Sequence, residues 1–250
     1  MWSAKFVVAG KHALVTVLVA ILSSVLVFVI WFPGDFAEIM PGTKLFLLVV
    51  GIEVVLGPCM SLVIYNPQKN KTELYRDYAT IIVIQLSALL YGLYSVAQTR
   101  PVFMVFVKDR LEIVSAAEID SADLSAAAHP QFNHLPWLGP KIVCARSPAT
   151  WEEREFLLFT AIPAGKDVQN LPLYFNQCAV GEIFKAAKPL AHLSELIVAR
   201  KNSGAESSLK PYLVNGQQYS WLPVVSRFGV RVVLIDENDA LVKYIFFDPF

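Results

Sequence analysis

Residues 13–32 read ALVTVLVAILSSVLVFVIWF, twenty residues without a charged side chain. At 1.5 Å per residue such a run forms a helix about 30 Å long, the thickness of a bilayer's hydrocarbon core. Two more runs follow, LFLLVVGIEVVLGPCMSLVIY at 45–65 and YATIIVIQLSALLYGLYSVA at 78–97. No comparable run occurs after residue 97. The expected fold class is therefore an α-helical membrane protein with three transmembrane helices and a C-terminal α+β domain. Residues 1–12 form a short N-terminal segment, 13–99 the transmembrane region and 100–250 the folded domain.

Composition agrees with that division. Charged residues make up 17% of the chain, below the roughly 25% of soluble proteins. Of the 42 Asp, Glu, Lys and Arg, 12 fall in residues 1–100 and 30 in 101–250. The net charge is zero, so electrostatic capture of nucleic acid is not expected. Lys5 and Lys11 precede the first run, and Lys69, Lys71 and Arg76 lie between the second and third. The other side carries Lys44 and Arg100, beside Asp35 and Glu38. Basic residues near spans stay in the cytoplasm, which predicts a cytoplasmic N-terminus and an extracytoplasmic C-terminal domain. A cleaved signal peptide fits poorly, because the first run is too long and Trp31-Phe32-Pro33-Gly34 is not a small-residue cleavage site.

Cys59 lies inside the second run, whereas Cys144 and Cys178 lie in the domain predicted to face an oxidising compartment. A bond between Cys144 and Cys178 would close a loop of about 34 residues, worth roughly 3–4 kcal/mol. The alternative is two small buried thiols.

The second run holds the chemically unusual stretch Ile52-Glu53-Val54-Val55-Leu56-Gly57-Pro58-Cys59. Pro58 cannot donate to the carbonyl of Val54, which predicts a kink. Gly57 admits a close neighbour. A carboxyl such as Glu53 faces protein rather than lipid at this depth. The third run carries Gln85, Ser87, Tyr91 and Gly92. Counting residues from the outer ends, Tyr91 matches Glu53 in depth better than Gln85 does. A hydrogen bond from Tyr91 to Glu53 is therefore expected, with Gln85 left for another contact. The simplest role is to fix helix packing. A sharper one is that Glu53, Gly57, Pro58, Gln85, Tyr91 and Gly92 line a groove for a client's membrane helix. Ion transport is poorly supported, because one acid in three helices offers no relay.

In the polar segment 66–77, Thr72 is expected to start the third helix. Beyond Pro101, residues 102–107 and 111–115 read as a hairpin around Lys108-Asp109-Arg110. Residues 121–130 read as a short helix or loop. Thr150-Trp151-Glu152-Glu153 is a capping box opening a helix to about residue 160. A second helix is expected at 179–187, a turn or helix at 189–196 and a loop at 201–209. Residues 230–235 and 241–247 read as a closing hairpin. This order predicts a small antiparallel sheet.

No catalytic constellation is present. His129 and His134 are five apart in a segment that reads as a loop, without the helical geometry of a zinc motif. There is no phosphate loop, nucleophile elbow or Cys-x-x-Cys. Glu152, Glu153 and Glu155 suit a helix N-terminus. No enzyme, metal or cofactor is expected.

Several segments together resemble the type IV pilin accessory protein family. They are Glu53-Val54-Val55-Leu56-Gly57-Pro58, Leu74-Tyr75-Arg76-Asp77, Gln85-Leu86-Ser87-Ala88-Leu89-Leu90-Tyr91-Gly92, Arg100-Pro101-Val102, and the ending Asp248-Pro249-Phe250. Each is weak alone; their order and spacing give the match its specificity. In the family the acid before Gly-Pro is often Asp; Glu53 keeps the charge and lengthens the reach. The resemblance implies a non-catalytic, chaperone-like helper of pilus assembly or of extension and retraction. It implies a bacterial inner-membrane location with a periplasmic domain. The implied partners are the lipid bilayer, a type IV pilin and the inner-membrane pilus assembly machinery. The competing reading is a membrane-anchored periplasmic ligand-binding, sensor or transport subunit.

Overall fold

The computed structural model describes residues 2–214 and 218–250. The chain divides into two compact units, Met1–Arg100 and Pro101–Phe250.

The first unit is helical. Helix α1 spans Trp2–Val25 and runs on through a π-helical segment, Leu26–Trp31. A short turn, α2 (Phe36–Ile39), precedes α3 (Gly42–Ile64) and α4 (Lys71–Gln98). The stretches Trp2–Trp31, Gly42–Ile64 and Lys71–Gln98 are long and apolar enough to cross a membrane. Their outward surface is apolar too: Leu22, Val63 and Leu90 are 72%, 79% and 65% exposed. Water disfavours such a surface, whereas hydrocarbon accepts it. Helix α3 packs along both α1 and α4 and so lies between them. With no hydrophobic drive between helices in lipid, close approach falls to small residues. The buried residues of α1 are Ala9, Thr16 and Ser23, seven apart and on one face. Those of α3 include Gly57 and Ser61, and those of α4 include Gly92. A Cβ on Gly92 would lie 2.5 Å from Val49 Cγ1, so the α3–α4 contact requires glycine there.

One expectation for this unit is corrected. Helix α4 is capped by Asn70, not started by Thr72; the Asn70 side chain accepts from the Thr72 backbone N–H at 3.4 Å. The Asx side chain outcompetes Thr72 because it reaches the second amide of the first turn. Helix α3 carries Pro58 inside its span.

The second unit is a mixed sheet with helices. Its strands are β1 (Pro101–Val107), β2 (Arg110–Ser115), β3 (Lys141–Ala145), β4 (Phe175–Asn176), β5 (Lys188–Pro189), β6 (Ser220–Ser226), β7 (Gly229–Ile235) and β8 (Leu241–Ile245). The helices are α5 (Ser121–Ser125), α6 (Trp151–Phe156), α7 (Glu182–Ala186), α8 (Leu190–Ala199) and α9 (Ser203–Val214). Strand order is β4-β3-β1-β2-β6-β7-β8, with β5 on β6. The pairs β1/β3 and β2/β6 are parallel, the others antiparallel.

This corrects the small antiparallel sheet. Both parallel pairs involve β3 or β6, which the sequence reading left out; β6 contains Pro223, which weakens a strand signal. The loop expected at 201–209 is instead helix α9. Its Ala205 and Leu209, four apart, bury against Trp221, Val232 and Leu234 together with Leu193 and Ile197 of α8. That packing overrides the Ser, Gly and Pro content of the segment. The hairpin β1–β2 turns through Lys108, which adopts φ 55°. In the β7–β8 turn, Asp236 Oδ1 accepts from the amides of Asn238 and Ala240, each at 2.9 Å.

Thr150 caps α6, accepting from Glu153 N–H at 3.3 Å. The Glu153 carboxylate takes a bidentate pair from Arg146 at 2.7 and 2.8 Å. That guanidinium holds the Glu153 carboxyl down at about 2. Cys144 on β3 and Cys178 beyond β4 are disulfide-bonded, their Cα atoms 5.0 Å apart across 34 residues. The bond fastens edge strand β4, which has only two ladder residues. Replacing both cysteines with alanine should destabilise this unit by about 3–4 kcal/mol. A thermal melt should then shift down by roughly 10 °C.

Candidate functional site

The stripe Glu53, Gly57 and Ser61 on α3 repeats every four residues, so all three share one helix face. Helix α1 presents His12 and Thr16 with the same spacing, and α4 presents Gln85. Together they form a hydrogen-bonded chain through three helices. Ser61 Oγ lies 2.5 Å from His12 Nδ1, and His12 Nε2 lies 2.9 Å from Gln85 Oε1. Gln85 Nε2 donates to Glu53 Oε2 at 3.3 Å. The directions follow from the amide. Gln85 turns its nitrogen to Glu53, so its oxygen must accept from His12. A neutral His12 then carries its proton on Nε2 and accepts from Ser61 at Nδ1. Thr16 Oγ donates to the His12 carbonyl at 3.0 Å.

Gly57 lies at the crossing point. A Cβ there would lie 2.7 Å from Gln85 Nε2 and 3.2 Å from both His12 Nε2 and Thr16 Oγ1. Glycine is therefore what lets three polar side chains converge on α3.

Beside this chain an apolar groove of about 120 Å³ opens. Val15, Val19 and Ala20 of α1 form one wall, and Ile82, Leu86 and Leu89 of α4 the other. Val50 and Glu53 of the intervening α3 also line it, together with His12, Thr16 and Gln85. Glu53 is eleven residues from each end of α3, so about 17 Å from either end.

The expected Tyr91–Glu53 hydrogen bond is not formed; Gln85 is the partner, and Tyr91 is 74% exposed. Depth was matched without helical phase. Six residues turn a helix by about 600°, so Gln85 and Tyr91 cannot share a face. Gly92, seven from Gln85, does share its face, and packs on Val49. Pro58 is half-buried beside Gly57. The reading missed His12, which it left in the N-terminal segment. The available signal was His12 and Thr16 four apart on an otherwise apolar helix.

The second unit has a polar hollow of about 660 Å³ lined by Glu112, Glu118, Asp120, Lys166, Asn170 and Arg227 among others. Most of these groups are already paired. Lys166 bridges Asp120 and Asp123, both at 2.5 Å, and Glu118 accepts from Ser115 N at 2.7 Å. Burial pushes the Glu112 carboxyl up to about 7, opposed by Arg110 and reinforced by Asp167, Glu118 and Asp109. Because the folded value exceeds the unfolded one, Glu112 favours folding below about 4.5 and loses that contribution as pH rises through 7. Glu112→Gln should remove about 1–2 kcal/mol of the stability change between pH 4.5 and 8, allowing for solvent screening. Melts of both proteins across that range check it. His129 bonds Asn176 at 3.0 Å and His134 bonds Asn133 at 2.9 Å, so the two rings go to separate partners.

No family model matches the chain, and no solved structure matches it. Among curated proteins it is similar to the fimbrial assembly proteins of Dichelobacter nodosus. Those of serogroups I and E1 are each 32% identical over 246 residues, covering 97% of this chain and 95% of the relative. That of serogroups C1 and C2 is 41% identical over 112 residues, covering 45% of this chain and 86% of the relative.

Proposed function

Because the chain belongs to the fimbrial assembly protein family, we propose that it serves type IV pilus biogenesis as a non-catalytic, chaperone-like helper that holds its cognate pilin in the inner membrane. The apolar groove between α1 and α4, with Glu53 and Gln85 at its lining, carries this reading. Helices α1 and α4 flank α3, and the groove opens between the two outer helices. A pilin awaiting assembly is a membrane helix with a globular head, and in this reading the helix packs over the groove.

The flanking lysines and arginine favour a cytoplasmic N-terminus and a periplasmic Pro101–Phe250 unit. The Cys144–Cys178 disulfide supports that side, since disulfides persist in the periplasm. Contact with the pilus assembly machinery and a role in the balance of extension and retraction belong to the same reading.

The test is deletion of the gene, scored for surface pili, then repeated with retraction disabled. Loss of pili in the first background supports the proposal. Pili that return only when retraction is off assign the protein to the extension–retraction balance. Normal pili in both backgrounds contradict it.

A further inference from the structure

We propose that the occupant of the α1/α4 groove carries a hydrogen-bond donor at the depth of Glu53, and that this donor pairs with the second carboxyl oxygen of Glu53. The inference rests on the groove reading and adds the chemistry of the helix that fills it.

Among the described residues, every side chain of the polar chain holds a hydrogen-bond partner, and the second carboxyl oxygen of Glu53 holds none. Glu53 Oε2 takes the Gln85 amide. Both ends of Gln85 are committed, to Glu53 and to His12. Both nitrogens of His12 are committed, to Gln85 and to Ser61. The Thr16 hydroxyl donates to the His12 carbonyl. Among the described residues, Glu53 Oε1 receives no hydrogen bond, and Glu53 lines the groove at mid-helix beside His12, Thr16 and Gln85.

A carboxyl oxygen covered by a purely apolar helix would be buried without a partner, an arrangement that membrane interiors penalise strongly. A helix bringing an amine, a hydroxyl or an amide to that depth satisfies it. The walls therefore supply area, while Glu53 selects a helix and sets its register. His12 is a positioning residue in this scheme. It fixes the Gln85 amide so that a nitrogen, not an oxygen, meets Glu53.

The full-length chain, tagged and expressed with its cognate pilin, is purified in detergent and the bound pilin quantified. Glu53→Leu should lose at least tenfold of the bound pilin, as should the groove-filling Ala20→Trp. Glu53→Gln separates the donor classes: equal loss marks a cationic amine, and retention marks a neutral hydroxyl or amide. Should Glu53→Leu fail to accumulate, Glu53→Met carries the same test. Pilin retained by Glu53→Leu but lost by Ala20→Trp overturns the donor and leaves the groove standing. Pilin retained by Ala20→Trp overturns the groove reading itself.

Discussion

Gly57→Leu is expected to abolish surface pili by breaking the helix bundle at its crossing point. A bare Cβ at this position already lies 2.7 Å from the Gln85 amide nitrogen. A leucine must push Gln85 away from Glu53 and crowd His12 and Thr16. Overpacking costs about 1–3 kcal/mol, and each buried polar group left unpaired adds about 1–3 kcal/mol. The expected sum, about 3–5 kcal/mol, is a large part of the stability of a small domain. Immunoblots should show a depleted protein, and any remainder should melt early. Gly10 is the internal control, because a Cβ there meets nothing within 4 Å. Gly10→Leu should leave pili and protein level unchanged. Gly57→Ala should fall between the two, since the group it meets is the movable end of a side chain.

Ala20→Trp should give the same loss of pili for a different reason. Ala20 lies in the groove wall, so the indole fills space that the folded protein leaves open. The protein should accumulate normally and melt within about 1 kcal/mol of the wild type, as substitutions away from packed contacts do. Pilin affinity should nevertheless fall at least about tenfold, equivalent to the loss of about 1.4 kcal/mol of binding, and surface pili should fall with it. Leu22→Trp is the matched control. Leu22 is 72% exposed on the outer surface of the same helix, where a tryptophan meets lipid. A folded protein that fails in one variant and works in the other separates a docking defect from a folding defect.

The spans were legible because a bilayer demands about 20 apolar residues, and nothing else in the chain imitates that signal. Gly57 and Glu53 were legible as anomalies within a span. Their partners were not, because depth alone leaves the rotation of a helix open. Adding phase would have set aside Tyr91 and kept Gln85 with Gly92. His12 was hidden by its place before the uninterrupted apolar run, although helix α1 begins ten residues earlier at Trp2. In the second unit the hairpins were readable from their turns, as at Asp236 and Lys108. Strands β3 and β6 pair with partners distant in sequence, and local pattern does not encode such pairing. Helix α9 likewise owes its existence to the sheet beneath Ala205 and Leu209.

A photo-reactive residue placed in the groove wall tests the central claim most directly. With benzoylphenylalanine at Leu86, irradiation of living cells should give one adduct of this chain with the pilin, identified by mass spectrometry. The same residue at Tyr91, on the opposite side of α4, should give none. Pilin captured at position 91 and absent at position 86 would contradict the account.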